Sequence, residues 1–240
     1  MECGEVSPLC IRHGVPGLDV TSGLAINSAN GNETLKILII RHAESMGNAT
    51  GEYSTAQADS LSSQGERQAI ALAEPLRAWS FDQVLVSPLQ RTLQTIAPYL
   101  LATGQQGEIW PELAEACWHD EREPVAAGWD TQPASLPESM ECLFRYRDNV
   151  SIRPAHPESF GAGLSRVHHV LERLEQMAVR SDQTVLMVTH GHFIREILNL
   201  MLKTQTIAEF HHDNIGITLM SRGSAWSMDF CNRQSLPDAC

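Results

Sequence analysis

Leu35-Lys36-Ile37-Leu38-Ile39-Ile40-Arg41-His42-Ala43-Glu44-Ser45-Met46-Gly47-Asn48 begins as an almost wholly apolar run and stops abruptly at a cation and an imidazole. A short run with β-branched residues at 37, 39 and 40 predicts a buried strand. Its end would lie at the rim of a sheet, where α/β proteins bind ligands. Arginine holds phosphate through a planar fork of donors, and a neighbouring histidine can serve as nucleophile or proton carrier.

The rest of the chain alternates strand and helix around that run. Ser63-Gln64-Gly65-Glu66 reads as a capping box, and Ala69, Leu72, Ala73, Leu76 and Trp79 carry a helix to about residue 79, with Pro75 a candidate kink. Val84-Leu85-Val86 is a second strand. Ser87-Pro88-Leu89-Gln90 reads as a helix start with Ser87 as cap, and that helix continues to about residue 103. A third extended segment is expected over 107–113 and a helix around 137–147. A long helix is marked by Leu164 to Ala178, a buried strand by Thr184 to Val188, and a helix by Phe193 to Met201. A closing pair of strands is expected at 215–220 and 225–230, and residues 49–62 as a loop. The implied fold is α/β, with a mainly parallel central sheet and helices on both faces.

Composition bounds the function. The 240 residues suit one domain with an extension, and Lys plus Arg is 17 against 29 for Asp plus Glu. The resulting net charge of −12 argues against nucleic acid or an anionic membrane as partner, but leaves room for a small anion in a locally basic pocket. The 6 cysteines form no CxxC pair, and no signal peptide or membrane span is read, so a cytoplasmic setting is expected. Residues 1–34 are expected as an irregular arm, 35–231 as the catalytic domain, with 115–157 a lid or substrate-specificity region, and 232–240 as a tail. The arm holds a near-copy of the site motif, Arg12-His13-Gly14, without the strand that should precede it. The sequence leaves the oligomeric state open and is compatible with a homodimer.

Basic side chains recur at one architectural position. Arg41 and His42 end the first strand, Arg91 lies in the first turn after the second, and His190 ends a later strand. Carboxyl ends of parallel strands share one edge, and helix N-termini there, with Gly191 at one of them, favour an anion. A phosphoryl group fits such a site. A neutral histidine could attack phosphorus, while the other, cationic, stabilises charge beside the arginines. A carboxylic acid would protonate the leaving group; Glu115 is the candidate and Glu112 its competitor. Turnover is then expected to favour mildly acidic conditions. His192 is read as packing or facing solvent, His211-His212-Asp213 as a solvated loop rather than a metal cluster, and Trp110, Trp118 and Trp129 as lining a pocket mouth or packing under a loop.

Several blocks resemble a known family. Arg41-His42-Ala43-Glu44 with Asn48 resembles the Arg-His-Gly-Glu…Asn signature of the histidine phosphatase superfamily, the phosphoglycerate mutase-like proteins. Leu61 to Ala69 resembles its Leu-Thr-x-x-Gly-x-x-Gln-Ala helix start, and Ser87 to Thr95 its Ser-Pro-x-x-Arg-Thr-x-Gln-Thr block. Leu113-Ala114-Glu115 is similar to its Leu-x-Glu, Val188 to Gly191 to the second histidine block, and Asn214 to Thr218 to a late strand. The resemblance implies a metal-independent, acid-type phosphatase, a phosphomonoesterase without cofactor. His42 would carry the phosphoryl group, Arg41, Arg91, His190 and Asn48 would bind its oxygens, Glu115 would donate the proton, and Glu44 would orient the site. Ala43 departs from the usual glycine, and Ala116-Cys117-Trp118-His119-Asp120-Glu121 departs from the family's Gly-x-Trp-Glu-Gly. Two alternatives stand. One is a 2,3-bisphosphoglycerate-dependent phosphoglycerate mutase, with Arg145, Arg147 and Arg153 as extra anion grips. The other is a non-catalytic module that binds a phosphorylated ligand.

Overall fold

A computed structural model describes residues 35–117, 141–146, 158–179 and 182–236. The expected arm with Arg12-His13-Gly14, Arg147 and Arg153, Trp118 and Trp129, and most of the expected lid lie outside them. In chain order the elements are β1 (Leu35–Arg41), α1 (Met46–Thr50), a 3-10 turn (Ala56–Asp59), α2 (Ser63–Arg77), β2 (Gln83–Val86), α3 (Gln90–Thr103) and β3 (Gly107–Ile109). A second 3-10 turn (Pro111–Leu113) follows, then β4 (Phe144–Tyr146), α4 (Phe160–Ala178), β5 (Gln183–Thr189), α5 (Gly191–Leu202), β6 (Ile217–Arg222) and β7 (Trp226–Arg233).

The apolar run of β1 is buried because it serves two cores at once. Leu38 and Ile40 pack with Leu72 and Leu76 of α2 and Leu93 and Ile96 of α3. Leu35, Ile37 and Ile39 pack on the other face with Val167 and Leu174 of α4 and Phe193 and Ile197 of α5. Alternate side chains of a strand point to opposite faces, so a strand covered on both must be apolar at both sets of positions. The sheet runs β4-β3-β2-β5-β1-β6-β7. β4, β3, β2, β5 and β1 are parallel, and β6 and β7 close the edge in antiparallel pairing. The expected mainly parallel, doubly covered sheet is what forms. Among the described residues, no helix is long and apolar enough to cross a membrane.

Several local expectations shift. The stretch 49–62 contains the end of α1 and the first 3-10 turn, not only loop. Ser62 rather than Ser63 caps α2: its Oγ accepts from the Gly65 N–H at 3.0 Å and donates to Glu44 Oε1 at 2.6 Å. α3 starts at Gln90, with Leu89 and not Ser87 in the cap position, while the Ser87 hydroxyl is held by His190. Phe144–Tyr146 is a strand where a helix was expected, because β3 offers it an open parallel edge; the rest of 137–147 is described only at 141–143. β7 runs to Arg233, past the expected domain end at 231.

Gly65 marks the closest approach. A Cβ there would stand 1.9 Å from the Glu44 carbonyl oxygen, a backbone atom that cannot swing aside. Gly65→Ala is therefore expected to cost about 1–3 kcal/mol of stability in urea denaturation. A loss below roughly 0.5 kcal/mol would mean that the 44–45 loop yields freely.

Candidate active site

The site forms where three neighbouring strands stop. β1 and β5 are paired in register up to Arg41 and Thr189, and β5 pairs β2 up to Val188 and Val86. His42 and His190 thus emerge side by side, one residue beyond the pairing. Their ring centroids are 5.1 Å apart, close to the spacing of adjacent strands. The His42 N–H donates to the Thr189 carbonyl at 3.0 Å and Ala43 N–H to Thr95 Oγ1 at 2.9 Å, so the loop carrying His42 is pinned from β5 and α3. Ala43 is fully buried against Leu61 and Ala69.

Arg91 decides the state of both rings, since a guanidinium can only donate. Its Nε lies 3.1 Å from His42 Nε2, and its Nη2 lies 3.1 Å from His190 Nδ1. Both of those nitrogens must accept. His42 then carries its proton on Nδ1, donated to the Ala43 carbonyl at 2.7 Å, and His190 carries its own on Nε2, donated to Ser87 Oγ at 2.6 Å. Burial, reinforced by Arg91 and Arg41, holds His42 well below the usual histidine range. Burial, Arg91 and His42 do the same to His190. The expected cationic His190 is corrected: with a nitrogen of each ring accepting from Arg91, both rings are neutral.

The third branch of Arg91 ends on a residue that sequence reasoning missed. Arg91 Nη1 is 2.5 Å from Asp59 Oδ1, and Asp59 Oδ2 accepts from the Gln90 N–H at 2.7 Å. Asp59 closes the first 3-10 turn in a polar stretch without periodicity, so nothing in the sequence pointed from it to Arg91. Asp59→Ala is expected to lower kcat/KM about 10- to 100-fold by letting Arg91 drift. Steady-state assays on an aryl phosphate that stay within twofold of wild type would show that Asp59 does not position Arg91.

Arg41 supplies the second cation. Its Nη1 donates to the His212 carbonyl at 2.5 Å, while its buried Nε has no hydrogen-bond partner among the described residues. That Nε is 3.5 Å from where a Cβ on Gly191 would stand, so glycine at the first residue of α5 leaves room beside the orphan donor. An anion there would satisfy Arg41 Nε and the helix N-terminus together. Asn48 is placed differently from its expected role on phosphoryl oxygens. It caps α1, its Oδ1 accepts from Ser45 N–H and Asn214 Nδ2 at 3.2 Å each, and its Nδ2 donates to Tyr53 Oη at 3.1 Å. Asn214 Nδ2 also reaches the His42 carbonyl at 3.0 Å, so Asn48 meets the histidine loop through Asn214.

Of the two carboxylates, Glu115 faces the cluster. Its Oε1 accepts from the Phe193 N–H at 3.1 Å, capping α5, whose own cap residue His190 contributes no side-chain bond. Burial pushes the Glu115 carboxyl up, but His192, Arg91 and the Phe193 N–H together outweigh it and hold it below the usual carboxylate range. Glu112 is turned to α4, where Arg173 Nη1 lies 3.0 Å from its Oε1. Arg166, buried in α4, clamps the acid segment by donating to the carbonyls of Glu112 and Ala114 at 2.7 Å and of Glu115 at 2.9 Å. Thr189 Oγ1 holds the Leu113 carbonyl at 2.8 Å.

The remaining candidates separate cleanly. His211 is exposed, whereas His212 is buried with Nε2 2.6 Å from Thr218 Oγ1, so the adjacent pair diverges. Trp110 is buried and bonds Glu108 at 2.7 Å, packing rather than lining a mouth. Arg145, one of the expected anion grips of a mutase, pairs with Glu108 at 3.2 Å.

The model of the histidine phosphatase superfamily, branch 1, matches residues 37–232. The adenosylcobalamin/alpha-ribazole phosphatase of Salmonella typhimurium is 27% identical over 189 residues, covering 74% of this chain and 84% of that protein. The metal-independent phosphoserine phosphatase of Arabidopsis thaliana is 24% identical over 202 residues, covering 82% and 81%. The crystal structure of the alpha-ribazole phosphatase from Shigella flexneri superposes with a TM-score of 0.62 at 23% identity, covering 84% of this chain and 98% of that one, and so shares the fold.

Proposed function

The chain belongs to the histidine phosphatase superfamily, branch 1, and from that premise we propose that it hydrolyses a small phosphomonoester through a phosphohistidine on His42, with Glu115 as proton donor. One observation carries the reading: the Nδ1–H of His42 is fixed on the Ala43 carbonyl, which aims the Nε2 lone pair among Arg91, Arg41 and the start of α5. That lone pair accepts from Arg91 Nε at 3.1 Å. A phosphoryl oxygen drawing Arg91 to itself frees it.

His42 Nε2 then bonds phosphorus as the ester P–O bond breaks, and Glu115 gives its proton to the leaving oxygen. In the second half, Glu115 takes a proton from water, the water oxygen bonds phosphorus, and the P–N bond breaks to release orthophosphate. Arg41, Arg91 and the Gly191 N–H bind the phosphoryl oxygens, and His190 can join them only once Arg91 Nη2 turns from its Nδ1 to the phosphoryl group. Arg41 and Arg91 supply the positive charge, so the proposed enzyme needs neither metal nor cofactor. The relatives named for alpha-ribazole phosphate and phosphoserine support a small phosphorylated metabolite as substrate class. Oligomeric state does not enter the mechanism.

The pH dependence follows from the two shifts. Glu115 is held below its ordinary value, so the free site lacks the proton that the first half needs, and activity is lost as pH rises. His42 is also held low, so acid does not protonate the nucleophile until well below its ordinary value. An acid-type profile results, with kcat/KM on an alkyl phosphate already declining with rising pH from below about pH 4.3, the ordinary carboxylate value, towards neutrality. A rate still rising above about pH 8 would contradict it. Glu115→Gln is expected to lose about 100-fold on an alkyl phosphate and much less on p-nitrophenyl phosphate, whose leaving group needs little protonation. Quenching turnover of a 32P-labelled phosphomonoester in alkali tests the intermediate. Radiolabel that stays on the protein in alkali and leaves in acid supports it, and an unlabelled protein under single-turnover conditions excludes it.

A further inference from the structure

His192 follows His190 by two residues and is exposed, as expected of a residue that packs or faces solvent. It also lies beside the acid: its Nδ1 is 3.6 Å from Glu115 Oε2. The two oxygens of Glu115 are differently engaged. Oε1 is pinned by the N–H groups of Phe193 at 3.1 Å and Ala116 at 3.2 Å, which leaves Oε2 directed at the imidazole. His192 is 48% exposed at its side chain, against 15% for Glu115, so it stands between the acid and solvent. The separation is a small side-chain rotation longer than a hydrogen bond, and catalytic bonds commonly tighten only when the substrate is bound.

The surroundings make this contact consequential. Arg41 from β1 and Arg91 from α3 act on the Glu115 carboxylate, and His190 stands at the start of α5. From α4, Arg166 grips the Glu115 carbonyl and is itself paired with Glu158 at 2.6 Å. Further along α5, Arg195 is paired with Glu196 at 2.7 Å. Glu115 alone, in this cationic setting, is a poor holder of a proton near neutrality. The His192 ring, with Nδ1 3.6 Å from Oε2 and its side chain half exposed, stands where a second proton carrier could meet the acid.

We propose that His192 and Glu115 hold the leaving-group proton as a pair, so that His192 is the positioning residue that loads the acid. An imidazolium beside a carboxylate carries the same single proton as a neutral imidazole beside a carboxylic acid. As the ester P–O bond breaks, its electron pair stays on the leaving oxygen. Oε2 takes the proton of His192 Nδ1 and passes that same proton to the leaving oxygen, which leaves a carboxylate beside a neutral imidazole. In the second half, Oε2 accepts a proton from the attacking water and returns it to Nδ1. The pair ends as it began, without any further reactant. This inference rests on Glu115 being the proton donor.

The test compares wild type with His192→Gln, which keeps size and polarity but cannot carry the proton, on β-glycerol phosphate and on p-nitrophenyl phosphate from roughly pH 5 to pH 9. His192→Gln is expected to lose at least about tenfold more on the alkyl than on the aryl substrate near neutrality. Its alkaline limb on the alkyl substrate should move down by about one pH unit. Free imidazole added to His192→Gly should restore part of the alkyl activity. Equal losses on both substrates with an unmoved limb would overturn the proposal and leave His192 a structural residue. Glu115→Gln measured alongside separates the layers. If it leaves the alkyl-to-aryl ratio unchanged, the proton-donor assignment fails and this inference with it. If it lowers that ratio while His192→Gln does not, only the role of His192 fails.

Discussion

His42→Ala is expected to abolish the phosphoenzyme and to lower kcat/KM by a factor of roughly 10^4 or more, on alkyl and aryl phosphates alike. On the proposed mechanism the loss is independent of leaving group, because what disappears is the atom that would bond phosphorus, not a proton. The other parts of the site act on the same transition state, so their removal together with His42 would add little. His42 is 3% exposed, and among the described residues its ring bonds only the Ala43 carbonyl and Arg91. The loop that carries it is held by backbone bonds to Thr189 and Thr95, which the substitution spares. Circular dichroism and urea denaturation should therefore report a folded protein. A folded His42→Ala enzyme that turned over within tenfold of wild type would place the nucleophile elsewhere. Should wild type itself release phosphate no faster than His42→Ala across a broad panel of phosphomonoesters, the chain would be a binding module.

Arg91→Ala should come second, with a loss of about 10^3-fold in kcat/KM. Arg91 is 4% exposed and spends its three branches on His42, His190 and Asp59. Truncation removes a donor from the phosphoryl oxygens and leaves three acceptors facing one another without a cation between them. It also removes the charge that, after burial, does most to hold His42 and His190 low, so both should rise towards the ordinary histidine range without reaching it. Arg91→Lys is not expected to rescue, because one ammonium cannot reach three partners held in a planar fork. Inhibition by orthophosphate gives an independent reading, since it should weaken in parallel with kcat/KM. A Lys variant with near-wild-type activity would show that charge alone, without the fork, is what the site needs.

How much of this was legible beforehand differs from residue to residue. Leu35 to Ile40 announced a doubly buried strand, and His42 and His190 announced their places at strand ends, because strand apolarity and its abrupt end are local in sequence. Helix starts were less exact. Ser62 took the cap expected of Ser63 because its hydroxyl also bonds Glu44, and Ser87 was drawn from capping to His190. Asp59 was invisible because a lone aspartate in a polar stretch looks the same whether or not it holds a buried arginine. Phe144–Tyr146 was read as helix because its own propensity was weak and the β3 edge decided. The expected charge on His190 failed for a different reason: burial and the nearness of Arg91, neither of them local in sequence, hold the ring neutral.

The sequence by itself determined the alternation of strands and helices, the covered parallel sheet, and the kinds of residue that stand where strands end. Those follow from periodicity, capping and burial within a few residues of each position. Only the tertiary structure decided that β5 lies between β1 and β2, bringing His42, His190 and Arg91 within hydrogen-bond reach. It also decided that Asp59 holds Arg91, that Glu112 is spent on Arg173, and that Glu115 has His192 beside it. The physical reason is that a proton's place and a carboxylate's partner are set by groups within a few ångströms, and here those groups come from segments far apart in the chain.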